Sequence, residues 1–222
     1  MTLRSVVFDL DGTLTHFNIK TRDAKIAFLR RIREMGINSR LLTLDRPVEI
    51  LLRYLEKSHG LDRDFLLKIA DECFSPYEVE AAERAELKPE ARAILGKLKT
   101  LGYKLGIASN NCRECIEIVL RKFELVDFFN EVVTRNDVKR LKPHEEMLFE
   151  VMRRLKVKPW ETVYVGDSIA DVVAGKRAGT FVVAIENKQS VTRLPAKIYP
   201  DFVIENLNEL TGVIKLLEER SF

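Results

Sequence analysis

From residue 88 onward the sequence alternates short apolar runs with amphipathic stretches, and that rhythm narrows the fold more than any other feature. The apolar runs cover residues 103–109, 131–134, 162–165, 181–185 and 201–204. Stretches with helical spacing lie before, between and after them, at 89–101, 113–123, 144–155, 170–178 and 207–220. Strands that are apolar nearly throughout, each separated from the next by a helix, predict an α/β fold: a doubly wound, Rossmann-like parallel sheet covered on both faces. In such a sheet the functional groups gather beyond the carboxyl ends of the strands, so the residues at those ends carry the next question.

An earlier apolar run, Val6-Val7-Phe8, ends in Asp9-Leu10-Asp11-Gly12. Strand side chains alternate with period two, which starts Asp9 and Asp11 on one side, and Gly12 lets the chain turn away beyond them. Two carboxylates at a buried strand tip repel each other and lose hydration, an arrangement that is costly unless a cation or a reaction uses it. A solvated strand end whose aspartates cap the next turn is the plainer reading of the same residues. The later strands end in similar fashion. Ser109-Asn110-Asn111 follows one, Gly166-Asp167-Ser168 follows another with Asp171 a helical turn further on, and Lys142-Pro143 stands in the loop before the 144–155 helix. The expected polar residues converge on one rim.

These stations, in order, resemble the motifs of the haloacid dehalogenase-like superfamily: Asp9-x-Asp11-Gly12-Thr13 first, Ser109-Asn110 second, Lys142 third, Gly166-Asp167-Ser168-x-x-Asp171 fourth. The string from Gly166 to Gly179 also resembles the phosphoglycolate phosphatase-like branch, and the likeness spans the whole chain. The resemblance implies a phosphatase in which Asp9 attacks phosphorus and forms an aspartyl-phosphate, while Asp11 protonates the leaving alcohol and then deprotonates the hydrolytic water. It implies that Ser109, Asn110 and Lys142 hold the phosphoryl group. It further implies a metal held by Asp9, Asp167 and the main-chain carbonyl of Asp11, with Asp171 holding metal-bound water or the Lys142 ammonium. Oxygen-only ligands at this density suit Mg2+. Phosphomutase and pyrophosphatase activity are alternatives on the same core, and a non-turnover phospho-accepting switch is an alternative of another class. The presence of Asp11 disfavours the dehalogenase branch.

Residues 17–86 read differently. Helical spacing recurs at Ile26, Leu29, Ile32 and Met35, at Val48, Leu51, Leu52 and Leu55, and at Leu66, Ile69, Ala70 and Cys73, with Pro76 expected to begin a fourth helix. A small helical bundle is therefore expected between two parts of the core, residues 1–16 and 87–222. By resemblance it is a C1-type cap with hinges at 15–18 and 85–88, closing over the site and helping to select small phosphorylated substrates. Arg46, beside Pro47 in the loop between the first two helices, is the expected anion contact.

Composition sets outer limits. The 222 residues are 46% hydrophobic and 32% charged, with a formal net charge of +3, so basic residues are interleaved with acidic ones and no nucleic-acid partner is expected. No apolar run is long enough to span a bilayer, and the N-terminus lacks a leader pattern, so the expectation is a cytoplasmic monomer or homodimer acting on a small molecule. Three cysteines, Cys73, Cys112 and Cys115, argue against a disulfide framework, and packing is the expected role of the Cys112-x-x-Cys115 pair. Cys112 near a helix start is expected to have a lowered thiol pKa. His16, His59 and His144 have no metal-site spacing.

Overall fold

A computed structural model of the chain describes residues 2–185 and 198–219. In chain order it begins β1 (Ser5–Phe8), β2 (Thr15–His16), α1 (Thr21–Glu34), α2 (Val48–His59), α3 (Arg63–Glu83), β3 (Glu86–Leu87), α4 (Ala91–Thr100) and β4 (Lys104–Ala108). It continues with α5 (Arg113–Lys122), β5 (Glu131–Val133), α6 (Glu146–Leu155), β6 (Thr162–Gly166), α7 (Ile169–Ala178), β7 (Phe181–Ile185), β8 (Phe202–Ile204) and α8 (Leu210–Glu219). Six strands form one parallel sheet in the order β5-β4-β1-β6-β7-β8, and β2 pairs antiparallel with β3 apart from it.

Strand alternation divides the core between the two faces. Val6, Phe8, Leu105, Ile107, Val163 and Val165 pack on the side of α4, α5 and α8, whereas Val7, Ala108 and Tyr164 pack with α6 and α7. β1 lies between β4 and β6, with Phe8 opposite both Ile107 and Val165. The chain builds outward from β1 to β5 on one side, then crosses back to begin β6 on the other. That reversal makes the crevice beyond the ends of β1 and β6 the expected binding position for this topology.

The helical segment between β2 and β3 contains three helices where four were expected. α3 runs unbroken from Arg63 to Glu83 through Pro76, with Asp62 capping its start by accepting from Phe65 N–H at 2.9 Å. An internal proline deletes one backbone hydrogen bond and costs about 3 kcal/mol. Burial of Leu66, Ile69, Ala70, Phe74, Ala81 and Ala82 along the helix offsets that cost. In α1 the buried stripe is Ala24, Phe28, Leu29 and Ile32, while Ile26 and Met35 are exposed, so a period of four rather than three sets its inner face. The apolar centre of these helices is continuous with the α6–α7 face of the sheet through Val138 and Leu141. At the C-terminus, a 3-10 turn at Leu207–Glu209 precedes α8, and Arg220 lies outside the described residues. No helix among the described residues is long and apolar enough to cross a membrane.

Candidate active site

Three of the four motif stations sit immediately after a strand, and Lys142 stands in the loop between β5 and α6. Asp9 continues the pairing of β1, its N–H donating to Val165 O at 2.9 Å, and is buried. Gly12 then turns the chain at φ +82°. A Cβ at Gly12 would stand 2.2 Å from Asp167 Oδ2, so only glycine lets the two loops approach this closely. Asp167 follows β6, and Ser168 caps α7 by accepting from Asp171 N–H. That capping box fixes Asp171 at the first turn, pointing back toward the rim.

Lys142 is the hub. Its ammonium, 4% exposed, donates to Asp9 Oδ1 at 2.7 Å, Asp171 Oδ1 at 2.6 Å and Ala108 O at 2.9 Å, and stands 3.0 Å from the Tyr164 hydroxyl. Burial acts to lower its pKa, but the carboxylates of Asp171 and Asp9 outweigh burial and hold it above the ordinary lysine value. It is a fixed cation. Asp171 has both oxygens engaged: Oδ1 accepts from Lys142 and from the Tyr164 hydroxyl at 2.7 Å, and Oδ2 accepts from Ser168. Burial acts to raise the Asp171 pKa, yet Lys142, Ser168 and Tyr164 together hold it below the usual carboxylate value.

The other acids behave oppositely. Burial raises the pKa of Asp9 well above its usual value, with Asp171 and Asp167 adding to the rise and Lys142 opposing it. Asp11 is pushed up to about 7, chiefly by burial and then by Asp167 and Asp171, against the hydrogen bond its Oδ1 accepts from Phe17 N–H at 3.0 Å. The rim thus holds four carboxylates against Lys142 and the half-buried Lys88, whose ammonium donates to Gly12 O. One oxygen each of Asp9, Asp167 and Asp171 lies within 4.8 Å of the others. An all-oxygen set with an excess of negative charge fits a hard divalent cation such as Mg2+. Since Asp171 is committed to Lys142, Tyr164 and Ser168, Asp9 and Asp167 are the acids that would ligate it.

Ser109 is buried at the end of β4, where its Oγ accepts from Asn111 N–H at 3.3 Å. Asn110 pairs both ways with the Lys142 peptide, its Oδ1 accepting from Lys142 N–H at 2.9 Å and its Nδ2 donating to Lys142 O at 3.1 Å. The β4 loop and the lysine loop are thereby one unit. Together with Asp9, Asp11 and Asp167 they line a cavity of about 570 Å3. A second cavity of about 410 Å3 adjoins it, sharing Asp11, Asn110, Lys142 and Ser168, and adds an apolar wall of Ile19, Val48, Phe74 and Leu141 together with Lys25. Arg46 lines neither, although its neighbours Pro47 and Val48 line the second.

Cys112 departs from expectation. Its side chain is 3% exposed, and burial pushes the thiol pKa up. The helix end that was to activate it is taken by the buried carboxylate of Glu78, whose Oε2 accepts from Cys112 N–H at 2.8 Å. Cys112 and Cys115 both lie in the hydrophobic core, in keeping with a packing role. Sequence reasoning did not single out Tyr164, Lys88, Lys25, Glu78 or Arg135. Tyr164 carried a signal, as a polar-tipped side chain in an otherwise apolar strand one position from the rim face. The others meet their partners only through the tertiary fold.

Residues 6–185 match the family model described as haloacid dehalogenase-like hydrolase. The chain is 30% identical to a protein named pyrophosphatase PpaX from Bacillus mycoides (strain KBAB4), across 96% of this chain and 98% of the relative. Among solved structures, a HAD phosphatase from Thermococcus onnurineus is 26% identical with a TM-score of 0.61, covering 96% of this chain and 98% of that one. A β-phosphoglucomutase from Clostridium difficile is 21% identical with a TM-score of 0.68, covering 99% of each chain, a likeness of fold.

Proposed function

This chain belongs to the haloacid dehalogenase-like hydrolases and is a phosphatase of that family; from that premise we propose that it is a Mg2+-dependent hydrolase of small phosphorylated metabolites working through an aspartyl-phosphate on Asp9. The single observation that carries the reading is the buried contact of Lys142 with both Asp9 and Asp171 beside Asp167, a fixed cation within an excess of acids. Residues 17–86 act as a C1-type cap on a core formed by residues 1–16 and 87–222. The protein works in the cytoplasm as a monomer or homodimer.

Mg2+ held by Asp9, Asp167 and the Asp11 carbonyl would polarise the phosphoryl group and offset the carboxylate charge. The chain's own residues do the rest. Lys142 neutralises a phosphoryl oxygen while orienting Asp9, and Ser109 with the main-chain N–H of Asn110 and of Leu10 or Asp11 positions the remaining oxygens. Asp9 attacks phosphorus as the ester oxygen leaves. Asp11 gives that oxygen a proton; burial, with Asp167 and Asp171 beside it, raises the pKa of its carboxyl and so favours the protonated form that a donor needs. The same carboxylate then takes a proton from the water that attacks the aspartyl-phosphate, which frees phosphate and restores Asp9. The leaving alcohol lies in the second cavity, where Lys25, with Arg135 and Lys142 also in the lining, takes the place expected of Arg46.

Hydrolysis of pyrophosphate is a second reading, favoured by the name that the Bacillus relative carries. A screen of phosphate release from p-nitrophenyl phosphate, pyrophosphate and a panel of small phosphomonoesters separates the two. Asp9→Asn should lower turnover at least about 10^3-fold and Asp11→Asn should lower it comparably. Mg2+-dependent phosphorylation of Asp9 without sustained release would favour the switch instead. ³¹P NMR showing an isomer in place of free phosphate would favour a mutase.

A further inference from the structure

A buried cluster beside the rim, of which Glu78 and Arg135 also line the second cavity, has no part in the proton and phosphoryl transfers above. Arg135, 5% exposed, sits on the segment following β5. Its Nη1 donates to Glu78 Oε1 at 2.7 Å and to Asn110 O at 3.0 Å. Its Nη2 donates to Glu78 Oε2 at 3.0 Å, Asp71 Oδ1 at 2.9 Å and Ser75 Oγ at 3.1 Å, and its Nε reaches Asp71 Oδ1 at 3.2 Å. Asp71, Ser75 and Glu78 all belong to α3. The main chain takes part as well: Arg135 N–H donates to Asn111 O at 3.2 Å, and Glu78 Oε2 accepts from Cys112 N–H.

Two residues of the phosphate loop are therefore held by one ion pair: Asn110 through its carbonyl by the Arg135 guanidinium, and Cys112 through its N–H by Glu78. Asn111 O, between them, is held by the Arg135 main-chain N–H. Asn110 in turn fixes the Lys142 peptide from both sides. A continuous path of hydrogen bonds runs from α3 through Arg135 and Asn110 to the lysine.

We propose that Arg135 is a positioning residue for the phosphate site: it holds the 110–112 loop and, through Asn110, Lys142 in register with α3, and it neutralises Glu78 beside the phosphate. The inference rests on the assignment of Ser109, Asn110 and Lys142 as phosphate ligands. Two physical effects act together. The planar guanidinium grips Glu78 by a two-pronged pair while keeping a donor for Asn110, a geometry that a lysine cannot reproduce. It also cancels a carboxylate at the N-terminal end of α5, which would otherwise repel an incoming phosphate dianion. The helical insertion thus contributes to phosphate affinity without touching phosphate.

The test compares Arg135→Lys, Arg135→Met and Glu78→Gln with the parent chain in Mg2+. It measures kcat and KM for p-nitrophenyl phosphate, the inhibition constant of inorganic phosphate, and the Tm of each variant. Arg135→Met should raise KM and the phosphate inhibition constant about tenfold or more, beyond any loss of kcat. Arg135→Lys should recover part of that loss, because charge returns without the fork. Glu78→Gln, which removes the adjacent negative charge and keeps an acceptor, should shift phosphate affinity less than Arg135→Met does. A purely structural Arg135 would lower Tm while leaving KM and phosphate inhibition of the folded fraction within about twofold of the parent; that result overturns the proposal. Should Arg135→Met not fold, equal KM values for Arg135→Lys and the parent overturn it alone. Parent turnover that does not depend on Asp9 would instead overturn the phosphatase mechanism, so the two failures are distinct.

Discussion

Two regions of this protein bury charge, and they do so in opposite ways. At the junction between the helical insertion and the sheet, each buried acid has a buried base: Arg135 with Glu78, to which the more exposed Asp71 adds a contact, and Arg63 with Glu49, which also accepts from Leu141 N–H at 3.0 Å. At the rim, Asp9, Asp11, Asp167 and Asp171 confront Lys142 and the half-buried Lys88. A cluster whose buried charges are paired serves architecture. A cluster with surplus charge of one sign calls for a counter-charge, which supports placing the proposed cation, and with it the phosphate, at the rim.

Removing the fixed cation breaks the rim most directly. Lys142→Met should lower kcat/KM about 10^3-fold, since it deletes the proposed ammonium contact to the phosphoryl group and leaves Asp9 and Asp171 to repel each other. Steady-state kinetics against p-nitrophenyl phosphate check this. If the loss were tenfold or less, Lys142 would be only a structural partner of Asp171.

At the junction the expected effect is on stability. Glu49→Ala strips Arg63 of its buried partner and Leu141 N–H of its acceptor, at a cost of about 3 kcal/mol. Replacing both Glu49 and Arg63 by methionine should return most of it, because a matched pair can be exchanged for apolar packing. Urea denaturation of the single and double variants measures both quantities. The same exchange at the rim has no apolar equivalent.

The smallest effect sharpens the contrast by pH. In the metal-free protein Asp11 titrates near 7, above its unfolded value near 3.8. Between those values the folded state binds the extra proton, so stability from this group is greatest at low pH and is lost as pH rises through about 7. Mg2+ needs Asp9, the ligand whose pKa burial raises, in its ionised form, so its affinity should increase with pH by up to about tenfold per unit over the range in which Asp9 loses its proton. Thermal melts with and without Mg2+ should therefore show a metal-induced rise in Tm that grows between pH 5 and 8, by ~5 °C or more. A rise independent of pH would mean that the rim acids are already ionised.

How far these regions could be read in advance follows the same division. Most of the rim was legible because its acids and Ser109 stand at or just past strand ends, which are marked in the sequence by where apolar runs stop; Lys142, in a loop, was legible only through the family resemblance. Asp9, Ser109 and Asp167 needed no knowledge of the rest of the fold. The junction was not legible: Arg135 lies 57 residues from Glu78, and an isolated arginine after a strand looks like any surface arginine. Pro76 misled for a related reason, since local propensity favours a break and only packing against α1 and α5 keeps α3 whole. Lys25 likewise has helical neighbours that give no sign that it lines a cavity. Local chemistry was readable, and long-range pairing was not.

Arg140 of the lysine loop also reaches the insertion, its Nη2 donating to Glu56 of α2 at 2.9 Å, and Arg63 Nε donates to Lys139 O at 2.6 Å. These anchors, with the shared apolar layer at Val138 and Leu141, mean that the insertion cannot be treated as an interchangeable module. Grafting the corresponding helices from a relative would strand several guanidinium groups and strip support from the strip of chain that carries the amine. Swaps meant to change substrate choice should keep Glu49, Asp71 and Glu78 in place and vary only the apolar wall of the second cavity.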